Sequence, residues 1–514
     1  MPSLVPSQLQ ALLLNSQPLK ERLLSAYGDL GDRYSDLMVM KKGACMDLKP
    51  FLEPNDLLTK GFMLRSNDIA DWMQFADAEG HLPRKIVVKN ISSLCFDLSQ
   101  LPSNTSLEFV DVKGISLFSS ADRPLDLDCI FVRDCESVFA SDLNFKRRSS
   151  IYFEGCKSIH VQNCRFTHVE TTALVFRFCS SILLDQNYFS RCSMACVFIG
   201  EGVKDYSIMA TEFSHCRGKS NWHAPIVVSG RNDIGLDTKL EGLFEPDAYW
   251  AKAQMLFDML NSPRNGWIFD NKIIHSQSSG IYLDGAVDLV VERNIVSNAS
   301  KEGICLDYGC INAYVMCNSI LANGDRHGKS DEDLRKDFVL GFGRDDRGSA
   351  NAKLPGISID NSAFCQVVAN HIGSNFGSGI KMVRTGFANL IAFNQILSNN
   401  MGQNNVFHFF GIELGAATAD VDAPDLDFLG SSLNVIAQNI FSGSHYSGIL
   451  LVGGSEFNFV CDNVIVGSKA FSIESLSLMP SNEYLNNYGN SPTRNCSLSM
   501  LGPVYQGAGM PSYD

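Results

Sequence analysis

The chain has 514 residues, 45% of them hydrophobic and 19% charged, with 41 glycines, 17 prolines and a net charge of −14. So large an apolar fraction excludes a disordered chain. The acidic balance excludes nucleic acid as the partner, because phosphate binding needs a concentrated basic surface. An anionic ligand held in a locally basic cleft remains open.

The N-terminus, MPSLVPSQLQALLLNSQPLKERLL, carries no basic stretch ahead of an apolar one, and no run of ~20 apolar residues offers a membrane span. The expectation is a cytoplasmic protein, with export by a route that needs no cleaved signal still open. Its 16 cysteines, spread over so long a chain, read as reduced thiols rather than as a disulfide framework.

Residues 1–84 read as helical. Leu9, Leu12, Leu13, Leu19, Leu23 and Leu24 recur at helical spacing, and Ser66-Asn67-Asp68 is placed to cap a second helix through Trp72 and Phe75. A repeat then begins at Ile86. Its first apolar residue recurs at Leu107, Ile130, Ile151, Leu174, Cys196, Ile226, Ile281, Ile304, Ile357, Ile380, Ile412, Ile449 and Phe471, with undecorated steps of 21 to 23 residues. A fixed period of this size is the signature of a solenoid, and its open end accounts for the helical segment as an N-terminal cap. The series predicts about 13 to 14 turns of parallel strands stacked ~4.8 Å apart. Residues 479–514, with four prolines, read as an irregular tail.

The clearest copies are Gly280-Ile281-Tyr282-Leu283-Asp284 and Gly303-Ile304-Cys305-Leu306-Asp307. Asn163, Asn187, Asn294, Asn318, Asn370, Asn394, Asn439 and Asn463 follow the first core residue of their copies by 12 to 14 positions. Asn tolerates left-handed backbone geometry and bonds to its neighbours in a stack, so it suits a bend repeated in register. Cys135, Cys156 and Cys179 form a second ladder, read as stacked small apolar residues.

With its Gly-Ile-x-Leu and Asn-x-Ile repeats over residues 85–478, the chain resembles the right-handed parallel β-helix superfamily, the pectate-lyase-like fold. The expected architecture is thus an all-β solenoid with a helical N-terminal cap.

Four insertions interrupt the period: 230–265, 324–355, 401–410 and 415–432. Two follow the first strand of a turn and two precede one, so all four border the same sheet and are placed to wall a cleft, where function usually gathers. Glu245-Pro246-Asp247 opens a helix in the first insertion. No phosphate-binding or dinucleotide fingerprint follows a strand, so no organic cofactor is expected.

Alternation in a strand turns Tyr282 and Asp284 outward. The Asp column reads Glu154, Arg177, Ile199, Ser229, Asp284, Asp307, Asp360, Val383, Gly415; its neighbour reads Val227, Tyr282, Cys305, Ser358, Lys381, Glu413. Three consecutive turns thus carry Asp at one place. Stacked carboxylates repel, which favours retention of a proton within the row. Two chemistries fit. Adjacent Asp residues stand near the separation used by retaining glycosidases, and Asp284 with Asp360, at about 9–10 Å, near that used by inverting ones. Alternatively the row holds Ca²⁺ while Lys381, Arg384, His327 or His408 abstracts a proton beside a uronate carboxylate. The plain alternative is that Asp merely suits the turn after each strand.

The resemblance to polygalacturonase-type hydrolases, which carry Asp on neighbouring turns of this face, implies a sugar substrate. Their Gly-His-Gly motif is missing here, as are the Asp-Pro-His of alginate epimerases and the Trp-x-Asp-His of pectate lyases. The expected function is a carbohydrate-active enzyme on a polysaccharide or oligosaccharide: first a glycoside hydrolase using Asp284, Asp307 and Asp360, second a uronate C5-epimerase or lyase, third a β-helix that only binds glycan. Tyr282, Tyr308, Lys381, Arg384, His408, Glu413 and His327 are the expected substrate-binding residues.

Overall fold

The computed structural model describes residues 85–495 except 90–93, 102, 121–123, 219–220, 231–260, 308, 325–353, 384–385, 400–409, 416–430, 444, 454 and 478–480. The predicted helical cap lies outside the described residues, as do most of the four insertions.

The described chain winds as a right-handed parallel β-solenoid. Each turn gives one strand to each of three parallel sheets, of 15, 14 and 12 strands. Because only the third sheet is limited to 12, twelve turns carry all three strands, fewer than the first-strand series predicts. Among the described residues the two N-terminal turns, beginning at Lys85–Lys89 and Ser106–Val110, give strands to the first and second sheets and only a bridge from Leu125 to Phe145 of the third, and Thr493–Asn495 adds a last strand to the first sheet. Strands Glu483–Leu485 and Tyr488–Gly489 carry the coil past residue 478, into the segment read as an irregular tail.

Two places in the repeat shift register. Val197, rather than Cys196, stands between Leu174 and Ile226, and Ile473, rather than Phe471, faces Ile449. The first shift puts Gly200, not Ile199, in line with Arg177, since Phe176 faces Ile199.

The strands form because alternate residues fill a single interior. Ile281, Leu283, Ile304, Leu306, Ile357 and Ile359 of the first sheet belong to one continuous apolar core with Phe145, Phe166, Phe189 and Phe213 of the third. Those four rings stack at 5.1, 4.8 and 5.0 Å, one per turn. The stacking repeats the strand spacing, so identical residues on successive turns pack without offset.

The glycine ahead of each first strand has a steric cause. A Cβ on Gly303 would lie 2.8 Å from the Gly356 carbonyl oxygen and 2.6 Å from Ile320, and Gly280, Gly356, Gly379 and Gly411 meet the same crowding. The backbones of successive turns touch here.

The asparagines bond along the stack as expected, but the left-handed backbone does not fall on them. Left-handed backbone falls on the residue before each one: Arg293, Cys317, Ala369, Phe393, Gln438 and Asp462 have φ between 53° and 58°. Asn294, Asn318, Asn370, Asn394, Asn439 and Asn463 instead turn inward, fully buried. Each amide donates to the next turn's Asn Oδ1 at 2.9–3.0 Å and to a strand carbonyl of the preceding turn at 2.8–2.9 Å. Asn163 does not belong to this ladder. It is exposed, carries the positive φ itself, and bonds Asp142. Two further ladders run through Asn323, Asn375 and Asn399, and through Asn389, Asn434, Asn458 and Asn482. The thiols Cys135, Cys156 and Cys179 are buried and point to strand-end carbonyls, as filler of the bend after the first strand.

Candidate active site on the outer face of the first sheet

The first sheet places the predicted carboxylates side by side. Strand Ile226–Ser229 pairs with Ile281–Asp284, that strand with Ile304–Asp307, and that with Ile357–Asp360. Asp284 faces Asp307 directly, and Leu306 faces Ile359, which sets Asp360 beside Asp307. The row is bounded by Ser229 on one side and Val383 on the other. Its alternate neighbours Leu283, Leu306 and Ile359 fill the core, so the carboxylates lie on the outer face. They are nonetheless buried, at 1%, 6% and 7% exposure for Asp284, Asp307 and Asp360. Burial of charge is costly unless the group is bonded.

The bonds come from adjacent turns. Ser229 Oγ donates to Asp284 Oδ2 at 3.1 Å. The Tyr282 hydroxyl crosses one strand to donate to Asp307 Oδ2 at 2.7 Å. Burial pushes the Tyr282 phenol far above its ordinary range, and the carboxylates of Asp307 and Asp284 push it the same way. It is therefore a firm proton donor to Asp307. Burial likewise pushes the Cys305 thiol well up, helped by Glu302, Asp307 and Asp360. Cys305 is held as a thiol and is no nucleophile.

The second outward column changes character along its length. Phe198, Val227, Tyr282 and Cys305 form a small apolar cluster with Ala195 and Ala224, separate from the main core, against which Trp222 packs. The Trp222 ring meets Tyr282 edge-on at 4.9 Å between centroids. Beyond Ser358 the column turns ionic: Lys381 Nζ lies 3.0 Å from Glu413 Oε1 on the next turn, and Ser378 Oγ donates to Glu413 Oε2 at 3.0 Å. The outer face thus grades from aromatic through acidic to a paired cation.

Of the predicted substrate-binding set, Tyr282, Lys381 and Glu413 stand on this face. Tyr308, Arg384, His408 and His327 lie outside the described residues. Three residues of the site escaped sequence reading. Ser229 was legible only as a member of the column, whereas Trp222 and Glu302 sit just ahead of first strands, where no repeat marks them. Glu302 is buried and accepts a bond from Ser279 Oγ at 2.8 Å. His223, beside Trp222, has its imidazole pKa lowered by burial and then by the Lys301 charge.

Four gaps in the described chain adjoin strands of this sheet in sequence. Residues 231–260 follow strand Ile226–Ser229, 325–353 precede Ile357–Asp360, and 400–409 and 416–430 flank Ile412–Gly415. The segment between Gly324 and Leu354 is closed at its base by a backbone bond of 3.1 Å from Leu354 N–H to the Gly324 carbonyl.

Residues 258–407, which contain the acidic row, match the family model described as NosD, periplasmic copper-binding protein. Residues 128–237 match the model of the right handed beta helix region. With the three-sheet coil, these matches place the chain in the right-handed parallel β-helix superfamily. No curated protein sequence gives a significant match. Among solved structures, the chain is similar to the A-module of the mannuronan C-5 epimerase AlgE6 of Azotobacter vinelandii, at 12% identity over 82% of this chain and 93% of that one, with a TM-score of 0.40. It is also similar to a point variant of the periplasmic alginate epimerase AlgG, at 13% identity, 82% and 88% coverage and a TM-score of 0.44. A third similar structure is the Dettilon tailspike protein, at 12% identity, 79% and 61% coverage and a TM-score of 0.31.

The expected cytoplasmic location does not stand, because the family matched over residues 258–407 is described as periplasmic. Among the described residues no group of three or more His, Cys, Asp or Glu is placed to hold a metal ion. No helix among them is long and apolar enough to cross a membrane.

Proposed function

We propose that this protein is a carbohydrate-active β-helix enzyme, a glycoside hydrolase that binds a glycan along the outer face of its first sheet. The observation that carries this reading is the direct cross-strand pairing of Asp284 with Asp307. Strands in a sheet stand ~4.8 Å apart, close to the ~5–5.5 Å between the two carboxyls of retaining glycosidases. Asp307, bonded by the Tyr282 hydroxyl, is stabilised as a carboxylate and suits the nucleophile, since a donor to the charged form favours it. Asp284 then protonates the leaving oxygen and afterwards activates water. Trp222, half-buried and packed against the apolar cluster beside Tyr282, offers a ring against which a sugar stacks.

A second reading is favoured by the same tyrosine. A phenol held protonated beside a carboxylate, with Lys381 three turns further along the column, suits proton transfer at the carbon next to a uronate carboxyl, as in C5-epimerisation or lyase cleavage. Incubation with neutral and uronate polysaccharides separates the two. Hydrolysis releases reducing ends without ultraviolet absorbance, a lyase product absorbs, and epimerisation changes neither chain length nor absorbance. Affinity without any product would leave a binding protein and overturn both enzymatic readings.

A further inference from the structure

The core holds a pair of sulfurs that the site does not use. Cys196 immediately precedes the first strand of one turn, Val197–Ile199, and Cys216 follows the third strand of that same turn, Glu212–Ser214. Their Sγ atoms lie 3.4 Å apart, and both residues are buried in the main core. They therefore mark the start and the finish of one complete circuit of the solenoid, brought into contact where the circuit closes. Cys192, at the end of the preceding turn, is also buried, with its Sγ facing the carbonyls of Phe166 and Ser190 at 3.8 and 3.9 Å.

We propose that Cys196 and Cys216 are a modification site: in an oxidising compartment they form a disulfide that locks this turn into a covalent ring. The reaction is an exchange with a small-molecule or protein disulfide. The two thiols give up two protons and two electrons, the Sγ–Sγ bond forms, and the oxidant's disulfide leaves as two thiols. The sulfurs, 3.4 Å apart as thiols, close to about 2.05 Å in the bond. Burial and the two neighbouring thiols push the Cys196 pKa well up. The folded pair is accordingly slow to react, and the bond forms while this turn is being laid down.

The position gives the ring a consequence. The locked turn pairs through Val197–Ile199 with strand Ile226–Ser229, whose Ser229 bonds Asp284. It braces the last layer before the acidic row begins. Cys216 is preferred over Cys192 as the partner because its bond joins the two ends of a single turn, with the sulfurs already 3.4 Å apart.

The test refolds the full chain with oxidised glutathione, denatures it, alkylates free thiols and maps peptides by mass spectrometry without reduction. The expected product is one peptide pair joined through Cys196 and Cys216, with two fewer alkylated thiols than after reduction. The oxidised protein is expected to melt about 3 °C above the reduced one, the scale set by closing a loop of roughly 20 residues in a chain of this length. Cys192→Ala keeps the cross-link, and the double variant C196A/C216A loses both the linked peptide and the redox dependence of melting. Complete alkylation after oxidative refolding, or a bond involving Cys192, overturns the proposal. The peptide map of the wild-type chain decides it even where the alanine variants fail to fold.

Discussion

The inward asparagine ladder assigns opposite roles to two adjacent residues of one bend, and Ala369 and Asn370 separate them. The Asn370 side chain makes four bonds: its Oδ1 accepts from the Asn318 backbone N–H at 2.9 Å and from Asn318 Nδ2 at 3.0 Å, while its Nδ2 donates to the Val315 carbonyl at 2.9 Å and to Asn394 Oδ1 at 3.0 Å. At about 1 kcal/mol net per bond, Asn370→Ala removes about 4 kcal/mol. The buried Asn318 N–H left without its acceptor adds 1–3 kcal/mol, which brings the expected loss to roughly 5–7 kcal/mol. Ala369 is half-buried with φ 55°, a conformation that costs an L-residue about 1–2 kcal/mol. Ala369→Gly relieves that cost and gives back part of it as unfolded-state entropy, so it is expected to be neutral or to stabilise by up to about 1 kcal/mol. Urea unfolding followed by far-ultraviolet circular dichroism measures both, read as the shift of midpoint at constant slope. An Asn370→Ala loss below about 1 kcal/mol would refute the ladder account and return Asn to the role of a left-handed bend residue.

Other consequences follow from the same contacts. His445, fully buried, accepts from Asn399 Nδ2 at 3.4 Å through Nε2 at the end of the second ladder, and burial holds its pKa down at about 4. With an unfolded value near 6.5 the unfolded state binds more protons, so stability is full above that pH and falls by roughly 3 kcal/mol as pH drops from 6.5 to 4. His445→Asn is expected to flatten that part of the urea-midpoint profile, and an unchanged slope contradicts the assignment. In the hydrolase reading, Asp307→Asn and Asp284→Asn each lower turnover at least ~100-fold with melting little changed, and variants retaining wild-type turnover sink the carboxylate pair. Tyr282→Phe removes the donor to Asp307 and is expected to lower turnover by a smaller factor while shifting the acid limb of the rate profile upward in pH. Chelation with EDTA leaves hydrolysis intact, whereas loss of activity restored by Ca²⁺ transfers the row to metal binding. Gly303→Ala places a methyl 2.8 Å from the Gly356 carbonyl oxygen and is expected to cost about 1–3 kcal/mol, read by the same unfolding assay.

The repeat was legible because its causes are local and recur. No room exists for a side chain between Gly303 and Gly356, and strand alternation needs Ile and Leu at fixed places, so period and sheet assignment followed from residue type. Ladder asparagines were visible as spacing and as stack bonding but not as inward residues beside the left-handed one, since Arg293 and Cys317, which carry that φ, have no composition that marks them. Counting from the first strand overestimated the complete turns because the two N-terminal turns lack a third-sheet strand among the described residues. Asp284, Asp307 and Asp360 were readable as a row because they share a register, and the row's burial was not, because exposure depends on what neighbouring turns contribute. Trp222 and Glu302 occupy stretches between strands where the period imposes nothing, so only the folded chain brings them beside Tyr282 and Ser279.

The closed gap between Gly324 and Leu354 bears on how a coil of this kind tolerates inserted chain. A segment of 29 residues, 325–353, hangs from two residues already joined by a backbone bond. Closing a loop becomes only slightly dearer as it lengthens, about 0.6 kcal/mol for each doubling. The cost of closure at these two residues therefore depends only weakly on the length of chain between them. Selection on recognition is in this way uncoupled from selection on folding, and new specificities can be tried by lengthening, shortening or exchanging segments at such closed gaps while the stack below stays untouched.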